Sequence, residues 1–351
     1  MNKPFYIAAA LTAFLMGFAS CSKHTAQTTT TSFTPQESQQ APPSSPLPGK
    51  MMAGGGPHIY QPAMGGGERP APQGELAELI KEVVPKFRQF EYIDTVGNDT
   101  IPYNLLIPAN IKAGETYPLI VFMADASTPG TNVLLPLTQG YGGLVWGTDE
   151  FQSEHPCFVV VPQYPYITVD NQWQTTPQVD GTVRLIESLS KKYPVDTDRL
   201  YTTGQSMGGM MSLYFNVKYP DLFAASLFVA CQWDISKMKE FDHYKFAYIA
   251  AGGDPGGSGG ERQLQQLLSE EGAPFGHAEW SARLPESEQD KLASELLAEG
   301  YERNFILFEG NTVLSEAEAA QTIRPGEVHM ASFDYAYRLA PVREWLFRQS
   351  K

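Results

Sequence analysis

The chain has 351 residues, 42% of them hydrophobic, and a formal net charge of −14 at pH 7. That acidity, without any cluster of lysines and arginines, excludes nucleic acid as a partner and reads as a solubility feature. The length leaves room for two domains, but residues 1–74 divide into a targeting segment and a tether, so one domain is predicted over 75–351.

In chain order, Lys3 precedes an apolar stretch, 5–19, with the pattern of a signal peptide and too short for a membrane span. Ala19 and Ser20 put small residues just before Cys21, as in a lipobox. Cys21 is therefore the predicted lipidation site, and the expectation is an exported chain anchored to the bacterial cell envelope, with the membrane as a partner through this lipid alone. Residues 22–74 are rich in Thr, Gln, Pro, Ser and Gly and read as a disordered tether. A short amphipathic piece at 75–84 leads into two strands, 90–96 and 101–107, split by Gly97, Asn98 and Asp99 as in a hairpin. Apolar runs at 119–123, 158–161, 200–203, 225–230 and 246–251 alternate with helical patterns at 179–192 and 210–218. Helices are also predicted at 262–271, 287–299 and 332–348, and strands at 276–282 and 304–308; whether 276–282 joins the sheet is open. The fold class is α/β, with a mostly parallel sheet of about eight strands and helices on both faces. Cys157 precedes one strand and Cys231 follows another, so they fall at opposite edges about 15 Å apart and are predicted as free, buried thiols.

The segment Arg199 to Gly209 reads RLYTTGQSMGG, a strand, a serine between glycines, then a helix. This is the pattern of a nucleophile elbow: Gly204 and Gly208 let strand and helix pass close to Ser206, whose Oγ is pushed out above the sheet. A serine needs a histidine base and a carboxylate to orient it. Of the six histidines, His24 and His58 lie in the tether and His155 precedes the elbow. His243 and His277 stand beside strand starts, at the wrong edge of the sheet. His329, in a loop after the last strand and before the terminal helix, is the predicted base. Asp254, after the strand 246–251, is the predicted acid, with Asp234 as its rival. The oxyanion N–H groups are expected from Met207 and from Asp125 or Ala126, with the Asp125 carboxylate turned away or bound to its own loop. Gln205, Gln232 and Trp233 are candidates for substrate contact. Tyr141, Trp146, Tyr164, Tyr166 and Trp173 are further aromatics on loops that could line a pocket or pack the loops. Neither metal nor organic cofactor is required by this chemistry.

The runs LIVFMADAS, LTQGYGGLVW, CFVVVPQYP, DTDRLYTTGQSMGG, VACQWD, AGGD and EVHMASFDYAYRLAPVREWLF resemble, in order, the α/β-hydrolases of the secreted esterase and predicted-peptidase group, which includes polyhydroxybutyrate-depolymerase-like and feruloyl-esterase-like proteins. The resemblance covers about residues 90–351. It implies an α/β-hydrolase fold, Ser206 as nucleophile, Asp254 as acid, His329 as base, and a carboxylic ester as substrate, sometimes carbohydrate-linked. The chain departs from the group in lacking His-Gly after the strand 119–123. A peptidase or acyltransferase on the same residues, and a surface binding protein on a retired hydrolase scaffold, are the alternatives. The acyl group and the oligomeric state are not legible.

Overall fold

The computed structural model describes residues 72–239, 241–324 and 326–351. Cys21, His24, His58 and the tether up to residue 71 lie outside the described residues. Among the described residues, no helix is long and apolar enough to cross a membrane.

Strands β1 (Phe87–Asp94) and β2 (Asp99–Leu106) pair antiparallel around Asn98, which takes a φ of 51° in the tight turn. Seven more strands follow: β3 (Tyr117–Met123), β4 (Phe158–Pro162), β5 (Val195–Gln205), β6 (Ala225–Val229), β7 (Phe246–Ala251), β8 (Gly276–Trp280) and β9 (Arg303–Phe308). The sheet order is β1-β2-β4-β3-β5-β6-β7-β9-β8. β2 meets β4 antiparallel, and every pairing beyond it is parallel. The open question over 276–282 is thereby answered, since β8 pairs with β9 as the sheet's edge and raises the count to nine.

The described residues form the helices α1 (Gly74–Val83), α2 (Leu135–Thr138), α3 (Asp149–Glu154), α4 (Pro177–Lys192), α5 (Met207–Lys218), α6 (Pro255–Glu271), α7 (Glu286–Ala298), α8 (Glu316–Ala319), α9 (Glu327–Arg338) and α10 (Ala340–Phe347). β3 is buried along its whole length, as a central parallel strand covered on both faces must be. Its alternation divides the core: Leu119, Val121 and Met123 pack with α4, α5 and α6, whereas Ile120 and Phe122 pack with α1, α3, α7, α9 and α10.

Two of the expected helices differ most from expectation. The helix expected at 262–271 begins at Pro255, because Asp254 caps it and glycines at 257 and 260 let it approach the sheet. The helix expected over 332–348 begins at Glu327 and breaks at Leu339. Pro341 has no N–H for the Tyr337 carbonyl, and the Arg343 guanidinium donates to that oxygen instead.

Within the long connection after β3, residues 141–147 pack into the core. Trp146 is fully buried, donates its Nε1–H to the Gly142 carbonyl at 2.7 Å and stacks on Phe347. Gly142 has no room for a side chain, since a Cβ there would lie 2.4 Å from the Phe122 ring. Tyr164 is likewise buried, its hydroxyl 2.7 Å from Thr182. Cys157 and Cys231 are free and buried as expected, and burial pushes the Cys157 thiol up to about 12.

Candidate active site

β5 ends at Gln205 and α5 begins at Met207, so Ser206 alone makes the turn, with φ 51° and ψ −116°. A serine adopts such angles only where its surroundings impose them. Here they do: a Cβ on Gly208 would lie 1.9 Å from the Met123 carbonyl oxygen, and one on Gly204 would lie 2.3 Å from the Gly208 carbonyl carbon. The absence of those two side chains lets β3, β5 and α5 converge beneath Ser206. Its N–H is held by the Val229 carbonyl at 3.0 Å.

His329 lies in the first turn of α9 rather than in the loop expected ahead of it, after Gly326 with φ 83°. Its Nε2 is 2.9 Å from Ser206 Oγ, and its Nδ1 is 2.7 Å from Asp254 Oδ2. Phe333, one turn on, meets the imidazole edge to face at 5.0 Å. Asp254 directly follows the turn after β7, and its other oxygen accepts the Gly256 N–H at 3.2 Å. The preceding glycines are sterically required, because a Cβ on Gly252 would lie 2.9 Å from the Gly310 backbone nitrogen and one on Gly253 would lie 2.9 Å from the Gly310 carbonyl oxygen. Side-chain exposure is 7% at Asp254 and 24% at His329, and Ser206 is half-buried, so the row runs from the interior toward solvent.

The rival carboxylate is engaged elsewhere. Asp234 caps the short turn Ile235–Lys237, accepting from Ser236 N at 3.0 Å and Ser236 Oγ at 2.6 Å. Other histidines stand apart: His155 is 2.7 Å from Glu344, His243 is 72% exposed beside Asp242, and His277 lies 3.7 Å from Glu261.

Met207 is the first residue of α5, where the helix has no acceptor of its own for the N–H. The Asp125 carboxylate binds within its loop, accepting from Ser127 N at 2.7 Å and from Ser127 Oγ. Gln205 is enclosed and donates its amide to Asp125 Oδ2 at 3.0 Å, so it supports that loop from below instead of facing an open surface. Trp233 is buried between Trp173 and Tyr214, with ring centroids 5.6 and 5.7 Å away, and acts as packing. Gln232, beside it, keeps part of its surface exposed. Two residues were missed. Gln163 and Asn104, both buried, donate to the carbonyls of Thr128 and Gly130 and of Val133, fixing the loop after β3. The signal was a polar amide inside the β2 run, for Asn104, and directly after the apolar β4 run, for Gln163.

Among the described residues, one group of metal-ligand type occurs, Glu154, His155 and Glu344. It lies at the opposite end of the strands, where His155 precedes β4 and already pairs with Glu344.

Similarity to solved structures decides the fold. A thermostable esterase superposes with a TM-score of 0.61 at 24% identity, over 77% of this chain and 64% of that one. The feruloyl esterase module from Clostridium thermocellum gives 0.50 at 15% identity, over 83% and 96%. The chain has the α/β-hydrolase fold. Within this fold, residues 168–261 match the prolyl oligopeptidase family, a stretch that takes in Ser206 and Asp254 and stops before His329. A probable acetylxylan esterase A of Aspergillus flavus is 26% identical over 160 residues, 42% of this chain and 48% of that protein. Acetylxylan esterase A of Aspergillus awamori is 31% identical over 112 residues, 29% and 37%. The match thus spans less than half the length of these relatives.

Proposed function

We propose that this α/β-hydrolase is a serine-dependent carboxylic ester hydrolase acting on acyl groups carried by carbohydrate. The observation that carries the reading is the continuous contact from Ser206 Oγ through His329 to Asp254, at 2.9 and 2.7 Å. In this reading His329 Nε2 takes the Ser206 proton as Oγ attacks the ester carbonyl, and Asp254 holds the Nδ1–H tautomer. The N–H groups of Met207 and of Asp125 or Ala126 would hold the tetrahedral oxyanion. His329 then gives its proton to the leaving alcohol, and water releases the acyl group from Ser206 by the same steps in reverse order of roles. Similarity to acetylxylan and feruloyl esterases supports acetyl or aromatic acyl groups. The match to the prolyl oligopeptidase family favours one second reading, a peptidase on the same residues.

The test is hydrolysis by the full chain of aryl acetates, feruloyl esters, acetylated xylo-oligosaccharides and aminoacyl anilides, beside Ser206→Ala. Ester turnover that Ser206→Ala abolishes, with inert anilides, is the expected result. Turnover confined to the anilides would establish the peptidase reading instead.

A further inference from the structure

Deletion of a single oxyanion donor costs a serine hydrolase about 100- to 1,000-fold in rate, so the loop carrying the second donor must be fixed closely. This chain has Ala124 and Asp125 where His-Gly would stand, and therefore carries a carboxylate in the loop expected to supply a donor. Asp125 is 2% exposed. Its Oδ1 is satisfied locally, by the N–H and hydroxyl of Ser127. Thr128 closes the same turn, donating N–H and Oγ1–H to the Asp125 carbonyl at 3.2 and 2.9 Å. For the N–H groups of Asp125 and Ala126, no acceptor is found among the described residues.

The other carboxylate oxygen depends on one residue from outside the loop. Gln205 Nε2 donates to Asp125 Oδ2 at 3.0 Å, and both side chains are enclosed. Gln205 immediately precedes Ser206, and Gly204 before it stands in register with Met123 on β3. A single side chain therefore ties the serine turn to the loop beyond the neighbouring strand. Resting on the hydrolase reading above, we propose that Gln205 is a positioning residue: through Asp125 it sets the loop's donor, the Asp125 or Ala126 N–H, relative to Ser206 and draws the Asp125 charge away from the developing oxyanion. A buried carboxylate oxygen that loses its donor is costly, and the loop relieves that cost by moving. Movement of the loop displaces that N–H.

The test uses a fluorophosphonate, whose phosphoryl oxygen takes the oxyanion's place and whose reaction requires no knowledge of the natural substrate. In the full chain, Gln205→Met is expected to slow Ser206 labelling about 10- to 100-fold, and to lower kcat on an aryl acetate by a similar factor with little change in KM. Gln205→Glu, which opposes two carboxylates, slows labelling further. Gln205→Glu combined with Asp125→Asn rebuilds the pair with donor and acceptor exchanged and is expected to recover most of the lost rate. A merely structural role would not produce that recovery. Wild-type labelling by Gln205→Met, or a double variant no faster than Gln205→Glu at an unchanged thermal midpoint, overturns the proposal. If the wild-type chain labels at Ser206 but hydrolyses no ester, the ester reading falls while the labelling ratios still decide the role of Gln205.

Discussion

At the scale of single residues, Glu261 carries the clearest consequence. Its carboxyl is 1% exposed on α6; Oε1 accepts from Gln265 at 3.0 Å, and Oε2 has no partner among the described residues. Burial, reinforced by Glu279 and opposed by Arg262, pushes it up to about 8. The folded chain therefore keeps a proton that the unfolded chain gives up in the ordinary carboxylate range. The resulting stability is fully present below that range and is lost as pH rises through about 8. Between pH 5 and 9, urea unfolding should show the wild type losing a few kcal/mol relative to Glu261→Gln; parallel profiles for the two proteins would refute this. Such residues mark the limit of sequence reading. Ser206 was legible because Gly-x-Ser-x-Gly is a constraint on adjacent residues, and Asp254 and His329 because they follow strands in chain order. The bond from Gln205 to Asp125 was not legible because the partner is 80 residues away, and a side-chain bond over that distance leaves no local pattern.

Among the elements, α6 shows how composition can mislead. The helix is predicted only from 262 because four of the six residues Pro255 to Gly260 are glycine, yet that stretch is helix from its first residue. The glycines along it are not equivalent. A Cβ on Gly260 would lie 2.7 Å from both the Cys231 carbonyl oxygen and the Tyr248 hydroxyl, and one on Gly257 would lie 3.0 Å from the Ala230 backbone. Gly259 has open space, its nearest neighbour being Arg262 at 4.0 Å. Gly259→Ala is therefore expected to stabilise the chain by up to about 1 kcal/mol, through helix propensity alone. Gly260→Ala should destabilise it and, by pushing α6 from the sheet, move Asp254 from His329. Thermal midpoints, with fluorophosphonate labelling alongside, check both; a Gly260→Ala chain as stable and reactive as wild type would contradict the account. The strands were legible nearly throughout because both faces of the sheet demand apolar runs. Helix ends were not, because the Asp254 cap and the break before Pro341 are set by neighbours that the sequence does not display together.

For the whole molecule, the sheet order places Ser206 at the centre, with Asp254 and His329 brought from the β7 and β9 side. Strand order needs long-range pairing, so the resemblance to known hydrolases carried more of the topology than periodicity did. Beyond the described residues, the Cys21 lipid anchor remains a proposal of the sequence. Cys21→Ala is expected to move the chain from the membrane to the soluble fraction and to abolish palmitate incorporation, and unchanged partition would remove the anchor from the account. The Ser206 backbone has a last consequence. Its angle survives only while β3, β5 and α5 meet without intervening side chains, so Ser206 doubles as a gauge of native packing at the sheet's centre. A chain that keeps its helices and strands but loosens that junction should fall silent to an activity probe while its circular dichroism is still unchanged, which makes probe labelling a finer assay of correct folding than spectroscopy.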